Sequence, residues 1–309
     1  LSDLSRRCFK FDEVSLITVS SGTSGVAKLC EWPEGAQMCK SRVLGERMGL
    51  TPDDHVGIFA PMSGAAGLVV WMISASTPFL CTFPSSFKAA DLLNLIHKYK
   101  ITVATTVPVI LARLANENLQ SYDLSSLRQL RVGTAAVDLE AARLFEENTG
   151  CPVVVAAGAM ECPGFGHASA EEPKEIRLDG SIGLPLRGCQ LRIEDERGDP
   201  LPADTIGELK VSAPFASSGY WNKPDETESV WSNGWCSTGD IGMLDEDGRL
   251  TLKGRLKETI NRSGYKILPA ELVKELVCHA LEVPESGDIF DPFRAIQRAS
   301  HIKYFRSFS

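Results

Sequence analysis

Up to about Gly180, short apolar runs alternate with longer segments in which apolar residues recur at helical spacing. Leu92, Leu93 and Ile96, for example, fall on one side of a helix predicted over Ala89–Tyr99. The predicted elements are strands at 14–20, 55–61, 101–107, 127–132 and 152–156, and helices at 89–99, 109–115 and 139–149. Strands that alternate with helices predict a parallel sheet covered by helices, so this part of the chain is expected to form an α/β subdomain.

The pattern changes beyond Gly180. Between residues 191 and 252, short β runs are separated by two acidic, glycine-containing turns at 195–200 and 245–248. Such a series predicts a small antiparallel β unit after the parallel sheet. Polar residues and glycines at 254–264 mark a further boundary. A last helix is predicted at 269–280, where apolar residues again share one face.

Composition and charge argue against several classes of protein. The net charge of −8 disfavours a general nucleic-acid binder, which would carry a basic excess. The longest apolar run, at 65–74, is too short for a transmembrane segment, and the first residues lack the apolar core of a signal peptide. The nine cysteines are scattered without a C-x-x-C pair, which disfavours zinc and favours reduced, buried thiols in a cytoplasmic protein. No feature specifies an oligomeric state.

A loop of small and hydroxyl residues follows the first strand. It consists of Ser20, Ser21, Gly22, Thr23, Ser24, Gly25, Val26, Ala27 and Lys28. Glycines let backbone N–H groups approach an anion, hydroxyls donate to phosphate oxygens and lysine adds a positive charge, so the loop predicts a phosphate site. It is not a Walker A loop, because Ala27 and Leu29 stand where that motif needs Gly and a magnesium-binding Ser or Thr. A plain loop without a ligand is the alternative.

Two later segments carry further candidate ligands for a nucleotide. Asp240 follows Gly239 in the segment 235–240, and a carboxylate held by a tight turn can accept both hydroxyls of a ribose. Arg255 stands near the start of a cation-rich segment at 254–271, where it could bridge ribose or phosphate oxygens. Each segment taken alone also fits an ordinary solvated turn or charged loop.

In order and spacing, these three segments together resemble the adenylate-forming superfamily of acyl-CoA synthetases, luciferases and peptide-synthetase adenylation domains. The first is similar to that family's Thr-Ser-Gly-Thr-Thr-Gly-x-Pro-Lys phosphate loop. Further similar segments follow in family order at 107–110, 133–136, 158–161, 182–185, 207–209 and 219–224. The resemblance covers residues 14 to 275. It implies an adenylate-forming core at 1–256, α/β to about 180 and β-rich at 181–256, and then a hinge and an incomplete C-terminal α+β domain at 257–309.

The resemblance implies an acid:CoA ligase. In such enzymes a small carboxylic acid attacks the α-phosphorus of ATP to give an acyl-adenylate and pyrophosphate, and the thiol of CoA then displaces AMP. ATP, Mg²⁺ and CoA are the implied cofactors. Because the substrate is its own nucleophile, the protein is expected to act by positioning and by stabilising phosphate charge.

The same resemblance assigns roles to residues of this chain. The implied catalytic residues are Lys28, Arg255 and Glu161, the last of which helps to hold Mg²⁺. The implied phosphate-binding residues are Ser20, Ser21, Gly22, Thr23, Ser24, Gly25 and Lys28. The implied adenine- and ribose-binding residues are Gly133, Thr134, Ala135, Ala157, Gly158, Ala159, Asp240 and Arg255. Lys257 is the implied hinge, and Ser263, Gly264, Tyr265 and Lys266 are implied to face the thioester site.

Several positions depart from the family pattern. Ala157 replaces the aromatic residue that stacks on adenine, Met160 replaces a Thr near the α-phosphate, and Gly64 replaces a His. About 20 residues precede the phosphate loop, without an initiator Met. The family's C-terminal domain with its late catalytic Lys does not follow. The chain is therefore expected to be a fragment truncated at both ends, with reduced activity or none.

The nature of the acid is only partly constrained. Residues 59–63 offer no carboxylate for a substrate ammonium, which favours an acid without an α-amino group. Ser63, Gly64, Gly67 and Trp71 are the predicted acid pocket, with room for a ring or a branched chain, although small residues there also fit close helix packing. Two other functions stay open: an adenylation domain that loads a carrier protein, and a non-catalytic nucleotide-binding relative that retains ATP binding without pyrophosphate exchange.

Overall fold

The computed structural model describes residues 9–20 and 28–258, together with the backbone of two short strands near the end of the chain. In chain order the strands are β1 (Val14–Ser20), β2 (Lys28–Pro33), β3 (His55–Phe59), β4 (Leu80–Thr82), β5 (Val103–Thr106), β6 (Gln129–Gly133), β7 (Val153–Ala157), β8 (Gly166–His167), β9 (Gln190–Glu194), β10 (Gly207–Ser212), β11 (Gly219–Tyr220), β12 (Trp231–Ser232), β13 (Trp235–Leu244), β14 (Leu250–Arg255), β15 (Ile260–Arg262) and β16 (Tyr265–Ile267). The helices are α1 (Glu34–Arg47), α2 (Ala65–Met72), α3 (Ala89–Tyr99), α4 (Pro108–Ala115), α5 (Leu139–Thr149), α6 (Lys174–Arg177) and α7 (Pro224–Val230).

A six-stranded sheet, in the order β4-β3-β5-β6-β7-β8, forms the centre of the first part. Its strands are parallel except for β8, which runs antiparallel to β7. Every residue of β5 and of β6 is buried. Helices α3, α4 and α5 contribute to the apolar core on one side of the sheet, and α1 and α2 to the core on the other. Burial on both faces fits the apolar sequences of β3 and β7 and, together with the parallel pairing, it confirms the predicted α/β subdomain.

Helix α5 shows why some helix bounds could be predicted from the sequence. Asp138 precedes it, and the side-chain carboxylate accepts hydrogen bonds from the backbone N–H groups of Glu140 and Ala141. Gly150 ends it at a φ of 71°, in the left-handed region that favours glycine. Such capping residues occupy backbone groups that the helix leaves unpaired at its ends. The predicted bounds of α3 and α5 are both confirmed.

A second, antiparallel sheet has the order β12-β13-β10-β9, with β14 paired to the other part of β13. The pairing of β13 with β14 puts Asp240 opposite Arg255. The turns predicted at 195–200 and 245–248 connect β9 to β10 and β13 to β14. The predicted antiparallel β unit is therefore confirmed.

A three-stranded sheet, β1-β2-β11, brings the phosphate-loop segment against residues that follow it by about 190 positions. Strands β1 and β2 are antiparallel, with Ser20 opposite Lys28, and Tyr220 of β11 pairs with Cys30 of β2. Strand β2 and helices α1 and α2 were not among the elements predicted from the sequence. The helix predicted at 269–280 lies outside the described residues.

The described cysteines are free, and most of them are buried, as predicted. They are Cys30, Cys39, Cys81, Cys151, Cys162, Cys189 and Cys236. In the described part of the chain, no helix has the length and apolar character needed to cross a bilayer.

Candidate functional site

The ends of the predicted phosphate loop lie side by side, because Ser20 ends β1 and Lys28 begins β2 in the same register position. Ser20 is buried, and its hydroxyl has no hydrogen-bond partner among the described residues. Residues Ser21, Gly22, Thr23, Ser24 and Gly25 fall in the segment 21–27, outside the described residues. The two strands thus hold both ends of the loop, and the role of the intervening residues remains a prediction.

Lys28 and Glu161 both contact Tyr220, although the three residues are far apart in the sequence. The Lys28 ammonium lies 4.6 Å from the centre of the Tyr220 ring and 3.0 Å from a carboxylate oxygen of Glu226. The Tyr220 hydroxyl donates a 2.6 Å hydrogen bond to Oε1 of Glu161, a length typical of a charge-assisted bond. Burial, and next the Glu161 carboxylate, raise the pKa of the Tyr220 hydroxyl, which keeps it protonated as the donor.

The segment that carries Glu161 is anchored to the three-stranded sheet. Trp32 of β2 donates a buried 2.9 Å hydrogen bond from its indole to the carbonyl of Met160, and the N–H of Ser217 donates to the carbonyl of Glu161 at 2.8 Å. At Gly158, an added Cβ would come within 2.3 Å of the Gly164 nitrogen. The segment can follow this path only with glycine at that position.

Asp240 and Arg255 form the ion pair that their opposite positions on β13 and β14 allow. Arg255 Nε lies 2.9 Å from Oδ1 of Asp240, and its Nη1 donates to the Thr238 carbonyl at 3.2 Å. Burial raises the pKa of the Asp240 carboxyl to about 6, and the positive charge of Arg255 opposes this shift. The negative charge of Glu161 also raises the pKa of Asp240. Lys257, the predicted hinge, is exposed on a short 3₁₀ turn after β14.

Parts of the two predicted adenine-side segments converge on one small cavity of about 20 Å³. Thr134 lines it from the end of β6, where the backbone φ is 83°, and Ala157 and Gly158 line it from the end of β7. Close packing of the strand ends leaves no room at Gly133, where a Cβ would lie 2.6 Å from the Ala156 carbonyl oxygen. Ala135 and Ala159 flank the lining residues in sequence and do not line the cavity.

None of the predicted acid-pocket residues lines this cavity. Helix α2 contributes Ala65, Ala66 and Val69 to the wall. On the same helix, a Cβ at Gly67 would lie 2.7 Å from the Pro61 carbonyl oxygen, so this glycine serves close packing. Trp71 is 43% exposed. Ser63 and Gly64 precede the helix and, like Gly67 and Trp71, are absent from the cavity wall.

Sequence reasoning assigned no role to Tyr220, Glu226 or Trp32. They contact the candidate site through pairings between residues that are 59 to 198 positions apart. Neither the spacing of apolar residues nor a short sequence motif indicates contacts between residues so far apart in the sequence. The segments around Ser263, Gly264, Tyr265 and Lys266 lie outside the described side chains, so their predicted role on the thioester side stays a prediction.

Comparison with known proteins places the chain in a family. The sequence model of the AMP-binding enzyme family matches residues 5–221. The chain is 30% identical to a long-chain-fatty-acid–CoA ligase of Bacillus subtilis, over 86% of this chain and 48% of the relative. It is 31% identical to a probable CoA ligase of Humulus lupulus, over 90% of this chain and 51% of the relative.

A solved structure supports the same assignment. O-succinylbenzoate CoA synthetase of Bacillus subtilis, in complex with ATP and magnesium, matches with a TM-score of 0.79 and 26% identity, over 88% of this chain and 56% of that one. The chain spans about half the length of the curated relatives it matches. It belongs to the AMP-binding, adenylate-forming enzyme family.

Proposed function

We propose that this chain binds ATP and a carboxylic acid and is the adenylating part of an acid:CoA ligase. The observation that carries the proposal is the position of Glu161. It accepts a hydrogen bond from the hydroxyl of Tyr220, and the ammonium of Lys28 lies over the ring of the same tyrosine. This contact supports placing the phosphate and metal groups side by side, and the pair of Asp240 with Arg255 is proposed to supply the ribose end.

Lys28 has the chemistry and the position for a phosphate contact. Its ammonium stands at the end of the glycine-rich loop and is paired with Glu226, which also pairs with Lys223 at 2.8 Å. When a triphosphate is bound, Lys28 exchanges Glu226 for phosphate oxygens, and Lys223 remains to neutralise Glu226. Loss of an ion pair at a partly exposed carboxylate is a small cost against a charge-assisted phosphate contact.

A single carboxylate at this position is suited to magnesium that arrives with a nucleotide. Proteins commonly hold Mg²⁺ through one or two carboxylates, with phosphate oxygens and water completing the octahedron. Among the described residues, no three His, Cys, Asp or Glu side chains form a separate metal cage. Glu161 is the residue that would hold the ion, and Tyr220 orients its carboxylate. The ion, when bound, neutralises phosphate charge that develops as pyrophosphate leaves.

Asp240 and Arg255 fit the ribose end. The Asp240 carboxylate accepts hydroxyl hydrogen bonds once it is ionised, and Arg255 favours that ionised state from 2.9 Å. In the reaction, the acid oxygen forms a bond to the α-phosphorus while the bond from that phosphorus to the bridging oxygen breaks. The later thioester step with CoA, the hinge at Lys257 and a domain boundary near residue 256 are further parts of the proposal, by similarity to the family.

Equilibrium binding of ATP·Mg²⁺ to two lysine variants tests this proposal. Lys28→Ala removes the phosphate contact and is expected to weaken binding about 10- to 100-fold, the value of a hydrogen bond to a charged group. Lys223→Ala is the matched control, since it removes the other cation paired with Glu226; its effect is expected to stay below about fivefold.

Equal ATP affinity of wild type and Lys28→Ala would remove the phosphate assignment. Acid-dependent ATP–pyrophosphate exchange on the same samples separates an adenylating chain from a relative that only binds nucleotide. Exchange requires the acid to attack the α-phosphorus, whereas simple binding does not.

A further inference from the structure

A buried arginine lies at the wall of the cavity between α2 and the ends of β6 and β7. Arg131, on β6, is only 4% exposed. Its Nε donates to Nε2 of His167 at 3.2 Å, and its Nη1 donates to the hydroxyl of Thr105 at 3.2 Å. The side chain belongs to the cavity wall together with Ala65, Ala66 and Val69 of α2.

The partners of Arg131 carry no negative charge. Burial, together with the positive charge of Arg131, lowers the pKa of His167 to about 3, so this imidazole is neutral at physiological pH. Its Nδ1 lies 2.6 Å from the Ala168 carbonyl and donates to it, which leaves Nε2 free to accept from Arg131. Burial lowers the pKa of Arg131 only to about 10, so the guanidinium stays charged.

No carboxylate in the described part of the chain forms an ion pair with Arg131. The other most deeply buried arginine, Arg177, has such a partner, since its Nη2 lies 3.1 Å from Glu146. A charge removed from water is strongly destabilising unless an opposite charge compensates it. The third nitrogen of Arg131, Nη2, makes no hydrogen bond to any described residue. It is also not among the fully buried polar atoms that lack a partner, so it retains some access to the space beside it.

The cavity beside Arg131 combines apolar walls with this one charged group. Its volume of about 20 Å³ holds about one water molecule, so it accepts the end of a slender ligand and not a bulky ring. Alkyl carbon placed against Arg131 would seal the guanidinium away from water without an anion to compensate it. A fatty-acyl tail therefore fits this cavity poorly, whereas a terminal carboxylate can accept two N–H bonds from a guanidinium.

We propose that Arg131 binds a second carboxylate, at the far end of a small acid substrate, and that the chain prefers dicarboxylic acids over fatty or neutral acids. This inference rests on the proposed function. Thr134, Ala157 and Gly158 line the same cavity and belong to the predicted adenine-side segments, so an acid held by Arg131 would lie next to the nucleotide. Arg131 is thus a specificity residue that contacts the acid away from the reacting carbon.

Calorimetric binding of matched acid pairs tests the inference on the full chain, in the presence of AMP. Each linear dicarboxylic acid of three to six carbons is compared with its monoamide, which has the same shape and one charge fewer. The dicarboxylic acid is expected to bind about 10- to 100-fold more tightly for at least one chain length. Arg131→Met should abolish that preference, and Arg131→Lys should retain part of it, since lysine keeps the charge without the fork.

Arg143→Met is the matched control variant. Arg143 is a partly buried arginine on α5, bonded to the Leu178 carbonyl at 2.9 Å, and α5 belongs to the core on the other side of the sheet. Its replacement should leave the preference unchanged. Thermal melting supplies a second readout. The dicarboxylic acid should raise the melting temperature of wild type and of Arg143→Met but not of Arg131→Met.

Two results would overturn the inference: equal binding of acid and monoamide by wild type, or a preference that survives in Arg131→Met. If Arg131→Met fails to fold, the wild-type comparison and Arg131→Lys still decide. ATP binding by the same samples keeps the two proposals apart. ATP binding without a dicarboxylate preference removes only the role of Arg131, while the reverse result removes only the nucleotide assignment. No binding of either ligand removes both.

Discussion

Lys40 of α1 is a charged residue whose replacement should stabilise the protein. It is 1% exposed, and its ammonium lies 3.5 Å from the centre of the Trp32 ring. No ion pair to a described carboxylate compensates the charge. Burial lowers the pKa of Lys40 from 10.5 to about 7. The folded protein therefore resists protonation at a site where the unfolded chain is protonated up to pH 10.5.

The effect on the free energy of unfolding can be calculated from the shift in the pKa of Lys40. The pKa of Lys40 is 3.5 units lower in the folded state than in the unfolded chain. At a pH where Lys40 is protonated in both states, this difference lowers the free energy of unfolding by about 5 kcal/mol. Lys40→Met keeps most of the side-chain volume without the charge. We expect it to raise the free energy of unfolding near pH 6 by several kcal/mol, with about 5 kcal/mol as the upper bound.

The stability gained by Lys40→Met should depend on pH in one direction only. Because the folded pKa is depressed, wild type carries the full penalty below about pH 7 and loses it progressively as the pH rises toward 10.5. The stability gained by Lys40→Met should therefore shrink between pH 7 and 10. Urea unfolding followed by circular dichroism at several pH values measures the difference between the two proteins.

Lys98→Met is the control for the Lys40 experiment. Lys98 also lies over an aromatic ring, that of Tyr99 at 4.9 Å, but it is exposed. Its replacement should change the free energy of unfolding by less than about 0.5 kcal/mol at every pH. A Lys40→Met protein less stable than wild type at pH 6, or a gain that does not vary with pH, would refute the reasoning.

Two further predictions concern the candidate site. Tyr220→Phe removes the hydrogen bond to Glu161 and should lower the free energy of unfolding, measured in urea, by about 1–2 kcal/mol. Tyr122→Phe is the control and should have little effect, because the hydroxyl of Tyr122 has no partner among the described residues. Equal effects of the two substitutions would contradict this role of Tyr220. For Asp240, burial raises the pKa from 3.8 to about 6, so stability from the protonated carboxyl is lost as pH rises through 6. Relative to Asp240→Asn, wild type should lose about 2 kcal/mol between pH 4 and 7, and a difference constant over that range would show that the carboxyl is not buried as described.

The regular elements that the sequence predicts well are those with a one-sided apolar pattern and clear ends. Helix α3 buries Leu92, Leu93 and Ile96 on one face, and α5 lies between a capping aspartate and a left-handed glycine. Helix α1 could not be recognised in this way. Its buried residues include Gln37 and Lys40 as well as small residues, so no apolar stripe marks its face. Helix α2 is apolar on all sides and gives no period at all.

In the candidate site too, the sequence indicates some residues and gives no sign of others. Asp240 and Arg255 were assigned to the ribose side through the family resemblance, and the pairing of β13 with β14 brings them together. The contact of Tyr220 with Glu161, and that of Arg131 with His167, arise from sheet packing that brings distant segments together. The sequence around Arg131 gives no sign that this arginine becomes buried without an acidic partner.

The central claim is that this chain positions an acid against the α-phosphate of a nucleotide. Binding of a non-hydrolysable acyl-adenylate analogue tests it most directly, because the analogue joins both ligands and needs no turnover. A dicarboxylic acyl-sulfamoyl adenosine should bind at least about 100-fold more tightly than AMP, since contacts of the acid pocket add to those of the nucleotide site. Affinity no greater than that of AMP would contradict the account, because it would show that the acid cavity and the nucleotide site do not act on one ligand.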